Sequence, residues 1–440
     1  MALGGGRYVT QNKTLPGTYT KFVSKARASA TLSDRGYAAI ALELDWANEG
    51  IFTVEASEFL TNSMEIFGYD YTSPKLKGLR DLFKNAKTAY LYCLNKGVKA
   101  TSALATAAKA GARGNDIKIM VSANVDDESL FDVVTMIKNE GTDTYRTVDS
   151  QYVASMTVLV DNTYVIWKRD ATLTVGSSNL SGGTNGTEVT TADHQAFLDA
   201  LESYTFNTLG CVATTDGIKD LYVQYTKRMR EEYGVNFQCV VYRKSADYEG
   251  VINVDNKAIG DDVSEASMVY WTTGASAGCA VNKSLLNRIY NGEYVVDVEY
   301  KQRDLTDGIK TGKFMFHRVG KTIRVMDDIN SFKSFTVDKS EDFGSNQTIR
   351  VLDQEGNDIA LLFNDKYLGE VPNDNAGRMS LWGDIVAYNE TMEKDLRAIT
   401  NYNDTLTTVE QGKHRGAVVL STALQPVNAM RQLYAEFIVE

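Results

Sequence analysis

The feature that most constrains the fold is an alternation of helices and strands that stops near Lys96 and resumes after Gly186. Apolar runs predict four buried strands, and amphipathic periodicity predicts four helices. The strands are Ala38–Leu44, Thr88–Leu94, Phe206–Val212 and Phe237–Tyr242, and the helices begin near Ser57 and Pro74 and cover Ala192–Tyr204 and Asp216–Tyr233. Short β-prone runs separated by polar turns fill the interval between the two halves. The pattern predicts a β module inserted into a surface loop of an α/β domain.

The second half of the chain adds further elements, and 440 residues are too many for one hydrophobic core. We expect two to four domains. The sequence predicts a helix rich in small residues at Glu265–Ala280, strands near Tyr294–Val298, Gly312–His317 and Thr322–Met326, and helices at Thr348–Tyr367 and Asn375–Ile399. A β-prone segment, Gly416–Val439, follows the last helix.

The last residues of that segment alternate strictly. Leu433, Ala435, Phe437 and Val439 fall on one face of a strand, and Tyr434, Glu436 and Ile438 fall on the other. The start of the chain, Met1–Tyr19, carries three glycines in a row and little apolar mass. Ends that bury little normally fray, whereas a strongly β-prone end invites pairing. The ends therefore predict self-assembly.

Composition excludes several other classes of function. The net charge is −11, and basic residues form no long run, so nucleic acid is disfavoured as a partner. The cysteines Cys93, Cys211, Cys239 and Cys279 lie in apolar settings without a CxxC pair, which predicts buried free thiols in a reducing compartment. His194, His317 and His414 lack metal-ligand spacing. We find no membrane-length apolar run and no signal peptide, and expect a soluble protein made in a cytoplasm.

One catalytic motif is present but in an unsuitable context. Gly274–Gly278 matches the GxSxG pattern that places a nucleophilic serine, here Ser276, on a sharp turn between a strand and a helix. The preceding residues are predicted to be helical, so the serine would lie within a helix. Gly320–Thr322 looks like the end of a phosphate loop, but it joins two β runs and predicts a hairpin turn. Asp126–Glu128 has no EF-hand spacing and predicts a solvated turn.

Several segments in order resemble the contractile phage tail sheath proteins, in the branch of Gram-positive myophages and their defective prophages. They include PGTYTKFVSKARA, RGYAAIALELDWANEG, IFGYDYTSPKL, NAKTAYLYCLN, GARGNDIKIMVSANVDDESLFDV, LSGGTNG, DYEGVINV, AVNKSLLNRIYNG and LQPVNAMRQLYAEFIV. Together they span nearly the whole chain.

The resemblance implies a multidomain α/β fold with extended terminal arms. Residues 1–22 would form an N-terminal linking arm, and residues 23–96 and 186–345 a discontinuous, subtilisin-like but non-proteolytic α/β sheath domain. Residues 97–185 would form the inserted β-rich domain, and residues 346–440 an α+β C-terminal domain that ends in a donated strand. The residues expected in strand exchange between subunits are Tyr8, Val9, Thr10, Leu433, Tyr434, Ala435, Phe437, Ile438 and Val439.

The resemblance also implies partners and a location. The expected partners are further copies of the chain, an inner tail tube protein, and baseplate and tail terminator proteins, without nucleic acid, membrane contact or cofactor. The particle would be a phage tail or a tail-like bacteriocin, assembled in the host cytoplasm. For the tube contact the sequence suggests a charged helix face comprising Glu390, Glu393, Lys394, Asp395 and Arg397. Two other functions compete with this non-enzymatic one: a serine hydrolase using Ser276, and a surface protein that binds glycans through its β module.

Overall fold

The computed structural model describes residues 34–186 and 188–439, and Arg35 onward forms one compact unit. The first part of this unit is a short α/β segment. Its elements are β1 (Tyr37–Leu42), β2 (Ile51–Glu55), α1 (Ala56–Phe67), α2 (Lys77–Phe83) and β3 (Thr88–Cys93). The strand β2, which the sequence analysis missed, pairs antiparallel with β3 at the edge of the main sheet.

The inserted segment is all β apart from short 3₁₀ turns. Its strands are β4 (Ala105–Ala107), β5 (Ile117–Ala123), β6 (Phe131–Lys138), β7 (Tyr145–Val153), β8 (Val165–Trp167) and β9 (Gly176–Asn179). Four of them form an antiparallel sheet in the order β7-β6-β5-β9, and β4 pairs with β8. Alternate residues such as Ile117, Ile119 and Val121 enter a separate apolar core. The predicted β module is therefore present between two parts of an α/β unit.

The α/β pattern then continues with more elements than the periodicity predicted. They are α3 (Thr191–Leu201), β10 (Thr208–Cys211), α4 (Asp216–Glu231), β11 (Gln238–Tyr242), β12 (Val251–Val254), β13 (Ala258–Ile259), α5 (Met268–Ala277), β14 (Val295–Val296), α6 (Gln302–Lys310), β15 (Lys313–Phe314), β16 (Phe316–Val319) and β17 (Thr322–Val325). The sequence analysis missed β12 and α6. The predicted strand at Tyr294–Val298 is only the two residues of β14, and the turn at Gly320 joins β16 to β17 as predicted.

One seven-stranded sheet organises this unit, in the order β15-β12-β11-β10-β1-β3-β2. All neighbours are parallel except β2 with β3. Helices cover both faces, so strand residues alternate between two apolar cores: Cys239 and Val241 face α3 and α4, whereas Val240 faces α5. Burial on both faces explains why these strands read as continuous apolar runs.

Small residues in α5 allow it to approach α2 closely, as the sequence predicted. A Cβ atom at Gly274 would lie 2.1 Å from the carbonyl oxygen of Leu82. Backbone at that distance cannot accommodate a side chain, so only glycine fits there. The small-residue run therefore serves helix packing.

The C-terminal part contains two long helices and a hairpin. Its elements are α7 (Asn346–Lys366), α8 (Asn375–Lys394), β18 (Thr408–Gln411) and β19 (Val418–Ser421). The predicted helix to Ile399 is too long: α8 ends at Lys394, and Arg397 adopts a left-handed backbone conformation with φ of 54°. The prediction failed because the apolar residues Ala398 and Ile399, which look like a continued helix face, are buried after the chain has turned.

Candidate assembly interface

The chain after β19 is held against the body of the protein as far as Arg431. Pro426 forms a bridge with Ile399, and Val427 N donates to the carbonyl of Ala398 at 2.9 Å. Backbone pairing of this kind fixes the position of a segment without a regular strand.

Side chains at the start of α7 then hold the next residues. Asn428 Oδ1 accepts from Ser345 Oγ at 3.1 Å and from Thr348 Oγ1 at 3.2 Å, and Ala429 N donates to Gln347 Oε1 at 3.0 Å. The Arg431 guanidinium forms an ion pair with Asp327, which is itself 8% exposed. The tail therefore leaves the surface at a defined point next to the N-terminus of α7.

Residues 432–439 make none of these attachments to the part of the chain that the structure describes. Residues 427–439 form no helix or strand within the chain. The tail's large apolar side chains are nearly as accessible as in an unfolded peptide: Leu433 91%, Tyr434 87%, Phe437 89%, Ile438 82% and Val439 92% exposed. Ala435 is exposed as well. Covering each Leu, Ile, Val or Phe would contribute about 1.5–3 kcal/mol, so this tail is a strong candidate for an intermolecular contact.

A sheet that could accept such a tail lies in the same part of the chain. The strands β18 and β19 pair only with each other among the described residues, from Thr408↔Ser421 to Gln411↔Val418. Each therefore keeps one edge of unpaired backbone groups, which is a template for a further strand.

The predicted N-terminal strand residues Tyr8, Val9 and Thr10 lie outside the described residues. Their role in strand exchange stays a prediction, as does that of Leu433–Val439.

The proposed tube-contact residues are gathered around the end of α8 but do not form one uniform face. Lys394 Nζ pairs with Glu390 at 2.9 Å on the exposed surface, whereas Glu393 is half-buried and accepts a hydrogen bond from Tyr402 N at 3.0 Å. Asp395 is the exposed C-cap residue of the helix, and the exposed Arg397 follows the turn. Glu393 is thus occupied within the chain, and four of the five residues are accessible to a partner.

The hydrolase alternative lacks its required geometry. Ser276 lies inside α5, is fully buried, and its Oγ has no hydrogen-bond partner in the described structure. A nucleophile elbow needs a strand before the serine and an accessible Oγ. The histidines also lie elsewhere: His194 Nδ1 is 3.0 Å from Tyr222 Oη, and His317 is in β16.

Residues 34–186 and 188–439 contain no group of three or more His, Cys, Asp or Glu side chains suited to a metal ion. Within the same ranges, no helix has the length and apolarity needed to cross a bilayer. Cys211, Cys239 and Cys279 are buried free thiols as predicted, and Cys93 is half-buried. Burial raises the pKa of the Cys211 thiol to about 12, which keeps it protonated.

Sequence reasoning missed the buried charges that attach α7 to the α/β unit. Arg230 of α4 forms a bidentate pair with Asp353, with nitrogen–oxygen distances of 2.7 and 2.8 Å, and both side chains are at most 9% exposed. Arg350 and Asp328 form a second pair at 1% and 3% exposure. Charged residues on the inward face of a predicted helix could have indicated these pairs, because a buried ion requires a partner of opposite charge.

A buried carboxyl group lies further along α7. Glu355 is 5% exposed, and burial raises its pKa to about 7, assisted by the nearby carboxylate of Asp358 and opposed by hydrogen bonding from Asn389. With its amide nitrogen oriented toward Glu355, Asn389 of α8 donates to both carboxyl oxygens, at 2.8 and 3.1 Å. This contact joins α7 to α8, and α8 is also the helix whose end carries the proposed tube contact.

Four family models match the chain in succession, all describing parts of one kind of protein. Residues 35–94 match the N-terminal region of domain III of the tail sheath protein Gp18, residues 95–187 the phage tail sheath β-sandwich domain, residues 187–331 the phage tail sheath central domain, and residues 338–440 the phage tail sheath C-terminal domain. The β module that suggested glycan binding thus corresponds to a sheath domain.

Relatives and solved structures agree with these matches. A phage-like element PBSX protein of Bacillus subtilis, XkdK, is 31% identical over 473 aligned positions that cover 98% of this chain and 99% of the relative. The crystal structure of a sheath tail protein from Desulfitobacterium hafniense is 32% identical, with a TM-score of 0.78 over 94% of this chain and 97% of that one. The contracted helical sheath of the anti-feeding prophage shares the fold, with a TM-score of 0.56 at 11% identity over 97% of this chain and 99% of that one.

Proposed function

The chain belongs to the phage tail sheath protein family and is a structural protein of a contractile injection system, and we propose that it polymerises into a helical tube around an inner tail tube. The observation that carries this proposal is the tail after Arg431, whose apolar side chains are exposed in the single chain. A head-to-tail contact between one tail and the next subunit repeats without closing on itself, which generates a helical array.

The proposed link is a donated strand. Leu433–Val439 of one subunit would add to the sheet of β18 and β19 in another, and the N-terminal residues Tyr8–Thr10 would join a shared sheet in the same way. Strand addition gains affinity from backbone hydrogen bonds, so it tolerates rotation of the attached bodies better than a large side-chain interface does. The anchoring of Asn428 and Ala429 supports this division, because it separates a fixed point of departure from a free end.

Contraction would then be a change in how the bodies pack while the strands stay paired. The extended array would be kinetically trapped, and a signal from a baseplate would release it to a denser packing. A gain of about 1–3 kcal/mol per subunit, the size of one allosteric coupling, becomes a large output over many subunits. This work requires no nucleotide.

For the tube contact we propose the end of α8, with Glu390, Lys394, Asp395 and Arg397 facing the tube and Glu393 supporting the turn behind them. Exposed ion pairs are individually worth little, which suits a contact that must hold before contraction and release afterwards. Baseplate and tail terminator proteins would occupy the two ends of the array. The particle would be a phage tail or a tail-like bacteriocin assembled in the host cytoplasm.

We further propose that the domain limits follow the family resemblance and that the sheath domain has a subtilisin-like arrangement without proteolysis. The largely parallel sheet with helices on both faces supports the subtilisin-like arrangement. The burial of Ser276 supports the absence of proteolysis through that residue.

The test is negative-stain electron microscopy of the full chain beside two truncated variants, one lacking Met1–Leu15 and one lacking Leu433–Glu440. We expect hollow striated tubes from the full chain and none from either truncation. Tubes that persist in both truncations would remove the strand-exchange link. A full chain that stays monodisperse even with an inner tube as template would contradict the proposed assembly.

A further inference from the structure

A cavity of about 390 Å³ opens in the C-terminal part of the chain, between the end of α7, the start of α8 and the start of β19. Its wall includes the apolar side chains of Phe363, Leu381 and Val418. Leu368, at its mouth, is 60% exposed. We call this the α7–α8 cavity. An apolar recess with an exposed leucine at its mouth is suited to receive an aliphatic side chain.

Two arginines lie beside the α7–α8 cavity, and neither pairs with a carboxylate among the described residues. Arg378 Nη1 donates to Asn373 O and Oδ1 at 3.1 and 2.9 Å and to Gln411 Oε1 at 3.1 Å, all of them neutral oxygens. Arg415 is exposed, and its carbonyl accepts from Asn373 Nδ2 at 2.8 Å, so both arginines contact one residue. By contrast, Arg230 and Arg350 are neutralised by buried acids.

The exposed tail has the complementary pattern. In a strand, Glu436, Ile438 and Glu440 project from the same face, so two carboxylates flank one aliphatic side chain at about 7 Å spacing. Arginine favours carboxylates because its planar fork can donate two parallel hydrogen bonds. The rest of this acidic chain gives those two arginines no such partner within the described ranges.

We propose that the α7–α8 cavity receives the tail of a neighbouring copy, with Ile438 in the apolar recess and Glu436 and Glu440 paired with Arg378 and Arg415. This inference rests on the proposed sheath function and deepens it. The α7–α8 cavity with Arg378 and Arg415 forms a socket that binds side chains of the tail. The edge of the β18–β19 sheet, by contrast, pairs only with its backbone.

The socket also sets the direction of the donated strand. Val418 is the first residue of β19 and lines the α7–α8 cavity. A tail that pairs antiparallel with β19 runs from Ser421 toward Val418 and delivers its last residues to the cavity. A parallel tail would end near Ser421, at the opposite end of that strand. The donated tail would therefore add antiparallel to the free edge of β19.

Disulfide cross-linking in the full chain tests the contact directly. With Leu368→Cys and Ile438→Cys in one chain, oxidation should produce a ladder of covalently linked chains on a non-reducing gel. The matched control combines Leu368→Cys with Leu433→Cys, because Leu433 lies about 16 Å further back along the tail. We expect at least fivefold more linked product than in the control. A ladder no stronger than the control, or closure within single chains only, would overturn the proposal.

A charge exchange tests the arginines. A fluorescently labelled peptide with the sequence of residues 429–440 should bind the full chain saturably. Arg378→Glu together with Arg415→Glu should weaken binding at least tenfold, and a peptide carrying Glu436→Lys and Glu440→Lys should recover binding to that variant. Lys413→Glu, an exposed cation in the same loop but outside the cavity lining, should leave binding unchanged. Circular dichroism checks that both variants fold.

The two proposals can fail separately. Tubes of the full chain together with a peptide that does not bind, or that binds regardless of Arg378 and Arg415, would leave the sheath function standing and remove the socket. Peptide binding that depends on Arg378 and Arg415, without tubes on any template, would retain the socket and contradict the assembly.

Discussion

The strand β11 and the tail Leu433–Val439 are both rich in β-forming apolar residues, and their environments are opposite. All five residues of β11 are buried, with parallel strands on both edges and helices over both faces. The tail has no strand partner among residues 34–186 and 188–439, and its large apolar side chains are at least 82% exposed. A β-prone segment is stabilised by the surfaces around it. The described residues supply such surfaces to the strand β11 but not to the tail.

Between these two regions lies α7, which is buried through charge as well as apolar contact. It is attached to α4 by the pair of Arg230 and Asp353 and to α8 by Glu355. Buried ions tolerate little change of partner. The junction thus holds the departure point of the tail firmly while the tail itself remains available.

Substitutions can test the difference between the buried sheet and the exposed tail. The expected effects on the stability of the isolated chain decrease in the following order.

The largest effect is expected in the centre of the sheet, where Ile40 of β1 is fully buried. Ile40→Asp would place an unpaired carboxylate in an apolar core. The free-energy cost of burying that charge exceeds the stability of an ordinary domain. We expect insoluble or unfolded protein, detected by solubility and circular dichroism. Soluble, cooperatively folding protein would show that the sheet is not the main core.

The next effect is at the α4–α7 junction. Arg230→Met should lower the free energy of unfolding by about 3–5 kcal/mol, because Asp353 would keep a buried charge without its partner. The double variant Arg230→Met, Asp353→Leu should recover most of that loss. Urea unfolding of both variants measures the difference. An equal loss in the single and double variants would mean that packing, not charge, attaches α7.

A smaller effect with a defined pH dependence is expected at Glu355. Its pKa of about 7 is above the ordinary value of 4.5, so the folded chain holds this proton more tightly than the unfolded chain does. The free energy of unfolding should therefore fall as pH rises from 4.5 to 7 and lose no more above that. Glu355→Gln should stabilise the chain by about 1–3 kcal/mol at pH 8 and leave it nearly unchanged at pH 4.5. Urea titrations at both pH values check this, and a stabilisation that is equal at both would contradict it.

Substitutions in the tail should affect assembly without affecting the stability of the single chain. Replacing Phe437 and Val439 by Ser should change the free energy of unfolding by no more than about 0.5 kcal/mol, because their side chains touch little in the single chain. The same change should abolish tube formation in electron microscopy. Thr405, an exposed residue outside β18 and β19, provides the control substitution. A destabilised monomer would break the comparison with β11.

The smallest effect on stability is expected at the end of α8. Replacing Lys394 and Arg397 by Glu should change the free energy of unfolding of the monomer by no more than about 0.5 kcal/mol, since the pair of Lys394 and Glu390 is exposed. It should weaken assembly on inner tubes, measured by co-sedimentation. Normal assembly on tubes would remove the proposed contact.

Much of this organisation follows from local sequence. The continuous apolar runs at Ala38–Leu44 and Phe237–Tyr242 predicted buried strands, and the small residues around Gly274 predicted close helix packing. The break in the pattern near Lys96 required a separate β module. The ordered family resemblance supplied the sheath function. These signals are local because periodicity and residue size act over a few neighbours.

Tertiary structure alone decided the rest. Only folding brings Arg230 to Asp353, 123 residues apart, and Asn428 to Ser345, 83 residues apart. It also ended α8 at Lys394, and Ala398 and Ile399 are buried after the turn in a cluster with Val281 and Val351 from distant parts of the chain. The sequence determined that Leu433–Val439 is β-prone, but its exposure depends on whether any other part of the chain lies beside it. Burial is a property of contacts between distant residues, which local pattern does not contain.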